Sequence, residues 1–361
     1  FLFCWMEYFC GNQKKMFNKK NLKIPLDKFI DKALYDSRKG YYMKRIPFGK
    51  SGDFITAPNI SIIFSEMIFL WLISYWEKFY NSEQINILEL GAGNGEMMNQ
   101  IIRSAKKFNY FFEKCEFIIY EKSKKLIQLQ KKKLKKHKVK WLKDLNKLEN
   151  RPTIILGNEF LDALPIKQFI NFNNQWYEKF IQKRDNVFSF VQKKCNTKKI
   201  EKKLNLKIFQ NQNFLEISFE EIKLLKKLNY LISDRGGSML FIDYAYIGSK
   251  MSNTLQAVRD HKKVNILEKP GSSDISHLIN IPYLKRVAKI LNLELDYNTQ
   301  RDFLLNLGIL KRAEILSEKK KFSEKANIFY RINRLIDKKQ MGVLFKVIHL
   351  YKKNNKFELG F

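Results

Sequence analysis

The stretch Ile85 to Met98, INILELGAGNGEMM, constrains the chain more than any other. An apolar run breaks into a glycine-rich turn and then into a helical pattern. Ile85, Ile87, Leu88 and Leu90 suit a buried parallel strand. Gly91, Gly93 and Gly95 permit positive φ and remove the side chains that would block a ligand lying close to the backbone. A strand, tight loop and helix start in this order turn backbone N–H groups and a helix N-terminus toward a ligand, the arrangement found at the carboxyl edge of doubly wound α/β sheets. The dinucleotide fingerprint G-x-G-x-x-G does not fit, because Glu96 stands where the third glycine belongs. The spacing here is G-x-G-x-G, with Glu89 two residues ahead.

The resulting string E-x-G-x-G-x-G resembles the first motif of class I S-adenosylmethionine-dependent methyltransferases. The resemblance implies S-adenosyl-L-methionine as cofactor, with Glu89, Gly91, Gly93 and Gly95 in its binding turn. A sulfonium cofactor has no pyrophosphate, so it does not need the missing glycine. A second apolar strand, CEFIIYEKS from Cys115 to Ser123, ends in Glu121, 26 residues after Gly95. A carboxylate at that place in a doubly wound sheet accepts hydrogen bonds from a ribose diol; alternatively it is a solvated charge at a strand end. Asp144, in KWLKDL, suits either the adenine amino group or a helix cap. TIILGNEFLDALPIKQF then gives a strand at Thr153 to Leu156, a turn at Gly157, and Asn158, Glu159 and Asp162 at the strand's carboxyl end.

Four strings in order, GYYMKRIPFGKSGDFITAPNIS, ILELGAGNGEMM, NEFLDALPIKQF and TLQAVRDHK, together resemble the MidA family of bacterial proteins and mitochondrial complex I assembly-factor methyltransferases. The similarity runs from about Leu26 to the carboxyl end, where Met341 to Leu350 fits the closing strand. Ala245 departs from the family, which usually carries glycine there. The resemblance implies a Rossmann-like, seven-stranded class I methyltransferase sheet with an N-terminal helical region and an inserted subdomain. It also implies that the mitochondrial members methylate an arginine of a complex I core subunit.

That chemistry asks for paired carboxylates. A guanidinium has a pKa of about 13.8 and is a poor nucleophile until its charge is localised and a proton is lost. Carboxylates that grip it bidentately can do both. Glu159 and Asp162, in the family's N-E-x-x-D-A-L-P string, are the first candidates; the alternative is a loop-stabilising or capping pair. By resemblance the Gly52 to Pro58 loop folds over the cofactor with Asp53 facing the active site. Asn158 joins the cofactor-binding set. In TLQAVRDHK, Arg259 suits an acidic group of a partner or a structural carboxylate, and His261 is a candidate base. Asp274 reads as an N-cap.

The chain carries 68 Lys and Arg against 36 Asp and Glu, for a net charge of +32, which raises RNA as a partner. Lys, Asn, Ile and Phe are abundant throughout, so the charge reads as overall composition and not as one basic patch. The densest run, Lys122 to Lys140, carries Leu126, Leu129 and Leu134 at helical spacing and is expected to be an amphipathic helix with a solvated lysine face. Cys4, Cys10, Cys115 and Cys195 lack metal-ligand spacing, as do the four histidines, so no metal site is expected. The apolar stretch Met67 to Trp76 is too short to span a bilayer and reads as a buried helix.

The expected organisation is an N-terminal extension over 1–24, read as readthrough or a disordered leader, followed by a methyltransferase domain over 25–361. That domain has a helical lid region at 25–82 and an insertion at about 171–235. The expected place is bacterial cytoplasm, with the mitochondrial matrix as alternative. The expected partner is a protein substrate, with nucleic acid disfavoured. An RNA or small-molecule methyltransferase and a cofactor-binding assembly chaperone without turnover are the rival functions.

Overall fold

The computed structural model describes residues 22–45, 47, 55–185 and 187–361. Its centre is a sheet of seven strands: β1 (Ile85–Leu90), β2 (Cys115–Tyr120), β3 (Lys140–Leu142), β4 (Thr153–Asn158), β5 (Gly237–Tyr246), β6 (Glu294–Thr299) and β7 (Phe345–Tyr351). Their spatial order is β6-β7-β5-β4-β1-β2-β3. The first five run parallel, and β7 is inserted antiparallel between β5 and β6. A two-residue strand, Ile279–Asn280, adds to β5 at Ala245 and Tyr246 as an eighth. All six residues of β1 are buried, as a parallel strand covered on both faces must be.

One face of the sheet is covered by the 19-residue helix Ile62–Tyr80, which buries Trp71, Tyr75 and Trp76. Glu96–Ala105 and the helices between residues 300 and 336 complete that layer. Arg312 grips Glu66 bidentately, at 2.8 and 3.0 Å, and so pins the late helices to the early one. The opposite face is covered by Phe219–Arg235 and Ile281–Ile290. No helix among the described residues is long and apolar enough to cross a membrane.

The structure redraws three features read from the sequence. Strands Gln175–Arg184 and Val187–Lys194 of the insertion pair as a hairpin, but the insertion ends sooner than residue 235. The helix Phe219–Arg235 buries Leu225, Leu228, Leu231 and Ile232 against the central sheet, so it is the β4-to-β5 crossover and part of the core. Leu22–Pro25 pairs antiparallel with Phe180–Lys183, so the fold already begins inside the segment expected to precede it. Gln256–Ser276, for which the sequence showed no strand pattern, contains a three-stranded antiparallel sheet. Alternation was hidden there because only Ala257 and Ile275 are buried in its strands.

The helix Leu26–Tyr35 packs Phe29, Ile30, Ala33 and Leu34 against Ile166, against Ile181 of the insertion and against Ala257 and Ile275 of the small sheet. This third cluster holds an arm, residues 26–45, across the carboxyl edge of the central sheet. The lysine-rich run forms the helix Lys124–Lys133, which buries Leu126 and Gln130 and leaves most of its lysines in solvent.

Candidate active site

A cleft of about 490 Å³ opens at the carboxyl ends of β1, β2, β4 and β5, under the arm. Gly91 and Gly93 line one part of it, with φ of 62° and 52°. Gly95, at φ 79°, starts the helix Glu96–Ala105 and donates its N–H to Ala92 O at 2.7 Å, which closes the turn. Glu89 is buried beneath the turn, and burial pushes its carboxyl up to about 8.

Glu121 lines the same part of the cleft. Its Oε1 accepts from Ser123 N at 2.9 Å and its Oε2 from Gln130 Nε2 at 3.2 Å. A carboxylate offers about four acceptor positions, so capacity remains for a diol hydroxyl. Burial raises its pKa while these donors pull it back. The site therefore fits S-adenosyl-L-methionine: an immobilised, cleft-lining carboxylate stands beside side-chain-free backbone, with Leu145 and Phe160 as apolar walls. Glu121 would hold the ribose and the glycine turn would lie along the amino-acid part.

Gln130 was not singled out in the sequence. It is fully buried, gives Nε2 to Gly93 O at 2.9 Å as well as to Glu121, and accepts from Trp141 Nε1 at 3.0 Å. One side chain thus fixes the glycine turn relative to the Glu121 carboxylate. Gln130→Leu, close in volume, is expected to weaken S-adenosylhomocysteine binding about tenfold by isothermal calorimetry, since charge-assisted and carbonyl bonds are lost together.

The other end of the cleft is built on β4 and β5. Asp243, buried in β5, takes Phe160 N at 3.1 Å and Leu161 N at 2.8 Å on Oδ2 and Tyr244 N at 3.0 Å on Oδ1. It is the anchor of the Asn158 to Leu164 loop. Glu159 donates its N–H to Ile242 O at 2.9 Å and sits at φ 50°, a strained conformation for a residue with a Cβ. That strain holds its side chain at the cleft, where Asn158 Nδ2 donates to Oε1 at 3.1 Å and Ala57 N–H adds a second bond. Asp162 lines the cleft beside it. Burial first, and then the charge of Asp243, pushes Glu159 up to about 8; the same causes, with Asp274 and Glu159 added, push Asp162 well above the usual carboxylate range. Asp243 itself is pushed up to about 7, burial outweighing its backbone donors.

Glu159, Asp162, Glu121, Gly91 and Gly93 are therefore brought to one cleft, and Glu89, Gly95 and Asn158 support it from beneath. Two residues are not brought there. Asp144 caps the short 3₁₀ turn Leu145–Lys147, accepting from Asn146 N at 3.0 Å, and pairs with Lys227 at 3.1 Å. Of its two readings the cap is the one the geometry shows, and apolar Leu145 is what reaches the cleft. His261 lies at the exposed turn between the strands Gln256–Arg259 and Lys262–Val264, with φ 61°, and does not line the cleft. A base role for it fails on that placement. Its neighbour Arg259 bonds Glu268 at 2.7 Å and Ser272 at 3.0 Å, the structural alternative. Asp53 lies outside the described residues. The short helix Ala57–Ile60 touches both ends of the site: Ala57 N–H bonds Glu159, and Asn59 Oδ1 accepts from Asn94 Nδ2 of the glycine turn at 2.7 Å. Asp274 is no N-cap: it lies in the strand Asp274–Ser276, opposite Val258. Among the described residues no group of three His, Cys, Asp or Glu side chains could hold a metal ion.

Comparison with known proteins places the chain in a family. The family model for S-adenosyl-L-methionine-dependent methyltransferases matches residues 67–298. The human mitochondrial protein arginine methyltransferase NDUFAF7 is 27% identical over 352 residues, covering 91% of this chain and 80% of the human protein. Its mitochondrial homologue in Caenorhabditis elegans is 28% identical over 334 residues, covering 86% and 78%. A Burkholderia thailandensis protein crystallised with S-adenosyl-homocysteine superposes with a TM-score of 0.80 at 22% identity, over 94% of this chain and 90% of that one, a likeness of fold. With the matched region running from the buried Ile62–Tyr80 helix to the end of β6, the chain belongs to the family of S-adenosyl-L-methionine-dependent methyltransferases.

Proposed function

We propose that the protein is an arginine N-methyltransferase acting on a protein substrate, a subunit of respiratory complex I. The observation that carries this reading is the acceptor end of the cleft. Asp162 and Asp243 are buried, Glu159 stands half-buried beside them at the cleft, and among the described residues no lysine or arginine pairs with any of the three, in a chain of net charge +32. Buried carboxylates left uncompensated are costly and hold protons to lower that cost. A ligand that carries a positive charge and several N–H donors relieves it. A planar guanidinium matches that demand.

S-adenosyl-L-methionine supplies an electrophilic methyl group when bound. The chain's own residues do the rest. Glu159 and Asp162 grip two edges of the guanidinium, which draws its charge toward them and leaves the third nitrogen's lone pair turned toward the cofactor. One of the two carboxylates takes the proton that this nitrogen loses, a task suited to carboxyls whose proton affinity burial has raised, Glu159 to about 8 and Asp162 well above the usual carboxylate range. Phe160, Tyr35 and Tyr244 line the cleft and keep water from the reacting groups.

The complex I acceptor rests on the MidA resemblance, and the arginine on the names of the relatives as well. Those relatives are mitochondrial, which favours the mitochondrial matrix over bacterial cytoplasm as the site of action. The test is transfer of label from methyl-labelled S-adenosylmethionine into a lysate separated into protein and RNA. Label in a protein band that mass spectrometry maps to methylarginine supports the reading. Label in RNA overturns it. Cofactor binding without label in either fraction favours a binding module that assists assembly.

A further inference from the structure

The arm across the cleft carries Tyr42, whose two ends reach opposite halves of the site. Its backbone oxygen accepts from Ser123 Oγ at 2.8 Å, and Ser123 is the residue whose N–H fixes the ribose carboxylate of Glu121. Its phenol donates to Asp274 Oδ1 at 2.7 Å. Asp274 lines the cleft from the small sheet, a separate layer from the one that carries Glu159 and Asp162, yet the electrostatics of both carboxyls include its charge. Tyr35 stacks on Tyr42 with ring centroids 5.7 Å apart and donates to Ala163 O at 3.1 Å, next to Asp162. Lys125 Nζ donates to Lys44 O at 2.6 Å and fixes the arm's far end on the cofactor side.

We infer that Asp274 is a third carboxylate of the acceptor subsite, and that Tyr42, bonded to it and to Ser123, couples acceptor binding to cofactor binding. The inference rests on the guanidinium reading of the cleft. Two carboxylates on one loop bind one edge or two adjacent edges of a planar cation. A third from a facing layer sets which nitrogen is left over, and so raises specificity for a guanidinium above a lysine ammonium, whose single charged head needs no such fork. Because Tyr42 touches both halves, a cofactor that orders the Glu121–Ser123 turn also orders Asp274. By linkage the acceptor must tighten cofactor binding by the same factor.

The experiment uses the full chain and three peptides, acetyl-Gly-Gly-X-Gly-Gly-amide with X arginine, lysine or citrulline, titrated by calorimetry with and without saturating S-adenosylhomocysteine. Wild type is expected to prefer arginine to both others, and to bind it about fivefold or more tighter when S-adenosylhomocysteine is present. Asp274→Asn is expected to weaken the arginine peptide about tenfold while S-adenosylhomocysteine alone binds as before. Tyr42→Phe, which keeps the stack on Tyr35, is expected to bring the ratio between the two conditions close to one. Thermal melts of both variants check that they remain folded. Asp274→Asn binding arginine within twofold of wild type overturns the third-carboxylate role, and full coupling in Tyr42→Phe overturns the link. A wild type that binds citrulline as well as arginine instead sinks the guanidinium reading and this inference with it.

Discussion

Glu159→Gln is expected to lower methyl transfer about a thousandfold while S-adenosylmethionine still binds within about threefold of wild type. The amide keeps the size of the side chain and one acceptor oxygen, and Glu159 touches the acceptor end of the cleft, so the cofactor turn at Gly91 to Gly95 is left alone. On the proposed mechanism, what disappears is the charge that localises the guanidinium cation and one of the two groups able to take its proton. Asp162 alone then faces the substrate. A variant that keeps more than about a tenth of wild-type turnover would show that Glu159 is the loop-stabilising residue of the alternative reading.

The same substitution has a second readout with a definite sign. Glu159 rises from an ordinary value of 4.5 to about 8 in the folded protein. Between those values the folded state binds more protons at this group than the unfolded one, so its contribution to stability is complete below about pH 4.5 and is lost as pH rises through 8. Glutamine cannot ionise and removes that loss. Glu159→Gln is therefore expected to melt above wild type at pH 8.5 by several degrees, on the order of 2–4 °C for each kcal/mol recovered, and to lose most of that advantage at pH 5. On the proposed guanidinium reading the substrate displaces the protons, so kcat/KM is expected to climb with pH toward about 8, with protons released on binding. A variant less active yet more stable is the pattern of a residue kept for chemistry.

Much of this site could be read from the chain because it is local. β1, its glycine turn and the helix after it are one continuous string, and the period of the apolar residues and the glycine spacing specify them without reference to anything distant. Glu121 and the pair Glu159 and Asp162 are similar: each ends a strand, and strand ends of a parallel sheet meet at one edge. The residues that escaped lie where contact is between segments far apart. Gln130 joins Gly93 and Trp141 from the middle of a lysine-rich helix, and nothing in the helical period separates a buried glutamine from a solvated one. Tyr42 and Asp274 are 232 residues apart and meet because a third cluster fixes the arm to the small sheet. His261 as a base and the adenine reading of Asp144 failed in the opposite direction: short polar segments offer a side chain for chemistry, and the turn or cap that uses it is decided by backbone geometry.

Gly91→Val is expected to abolish measurable S-adenosylhomocysteine binding, a loss of at least about a hundredfold, through two separable effects. Gly91 holds φ 62°, and a β-branched residue there costs about 1–3 kcal/mol of backbone strain, which by itself is a factor of about five to 150. The added Cβ would also stand 2.7 Å from Phe160 Cδ2 and 3.2 Å from Cε2, closer than carbon atoms pack. The backbone cannot move away freely, because Gly91 N donates to Tyr120 O at 3.0 Å and ties the ends of β1 and β2 together. Phe160 must therefore shift, and Phe160 adjoins Glu159. The two effects are told apart by Gly91→Ala, which has the same Cβ with less strain, alone and combined with Phe160→Ala. If the overlap dominates, the double variant binds S-adenosylhomocysteine at least about tenfold better than Gly91→Ala alone. If strain dominates, the second change restores nothing. Binding by Gly91→Val within threefold of wild type would show that the turn does not lie against the cofactor. The cofactor half of the site would then have to be rebuilt around Glu121.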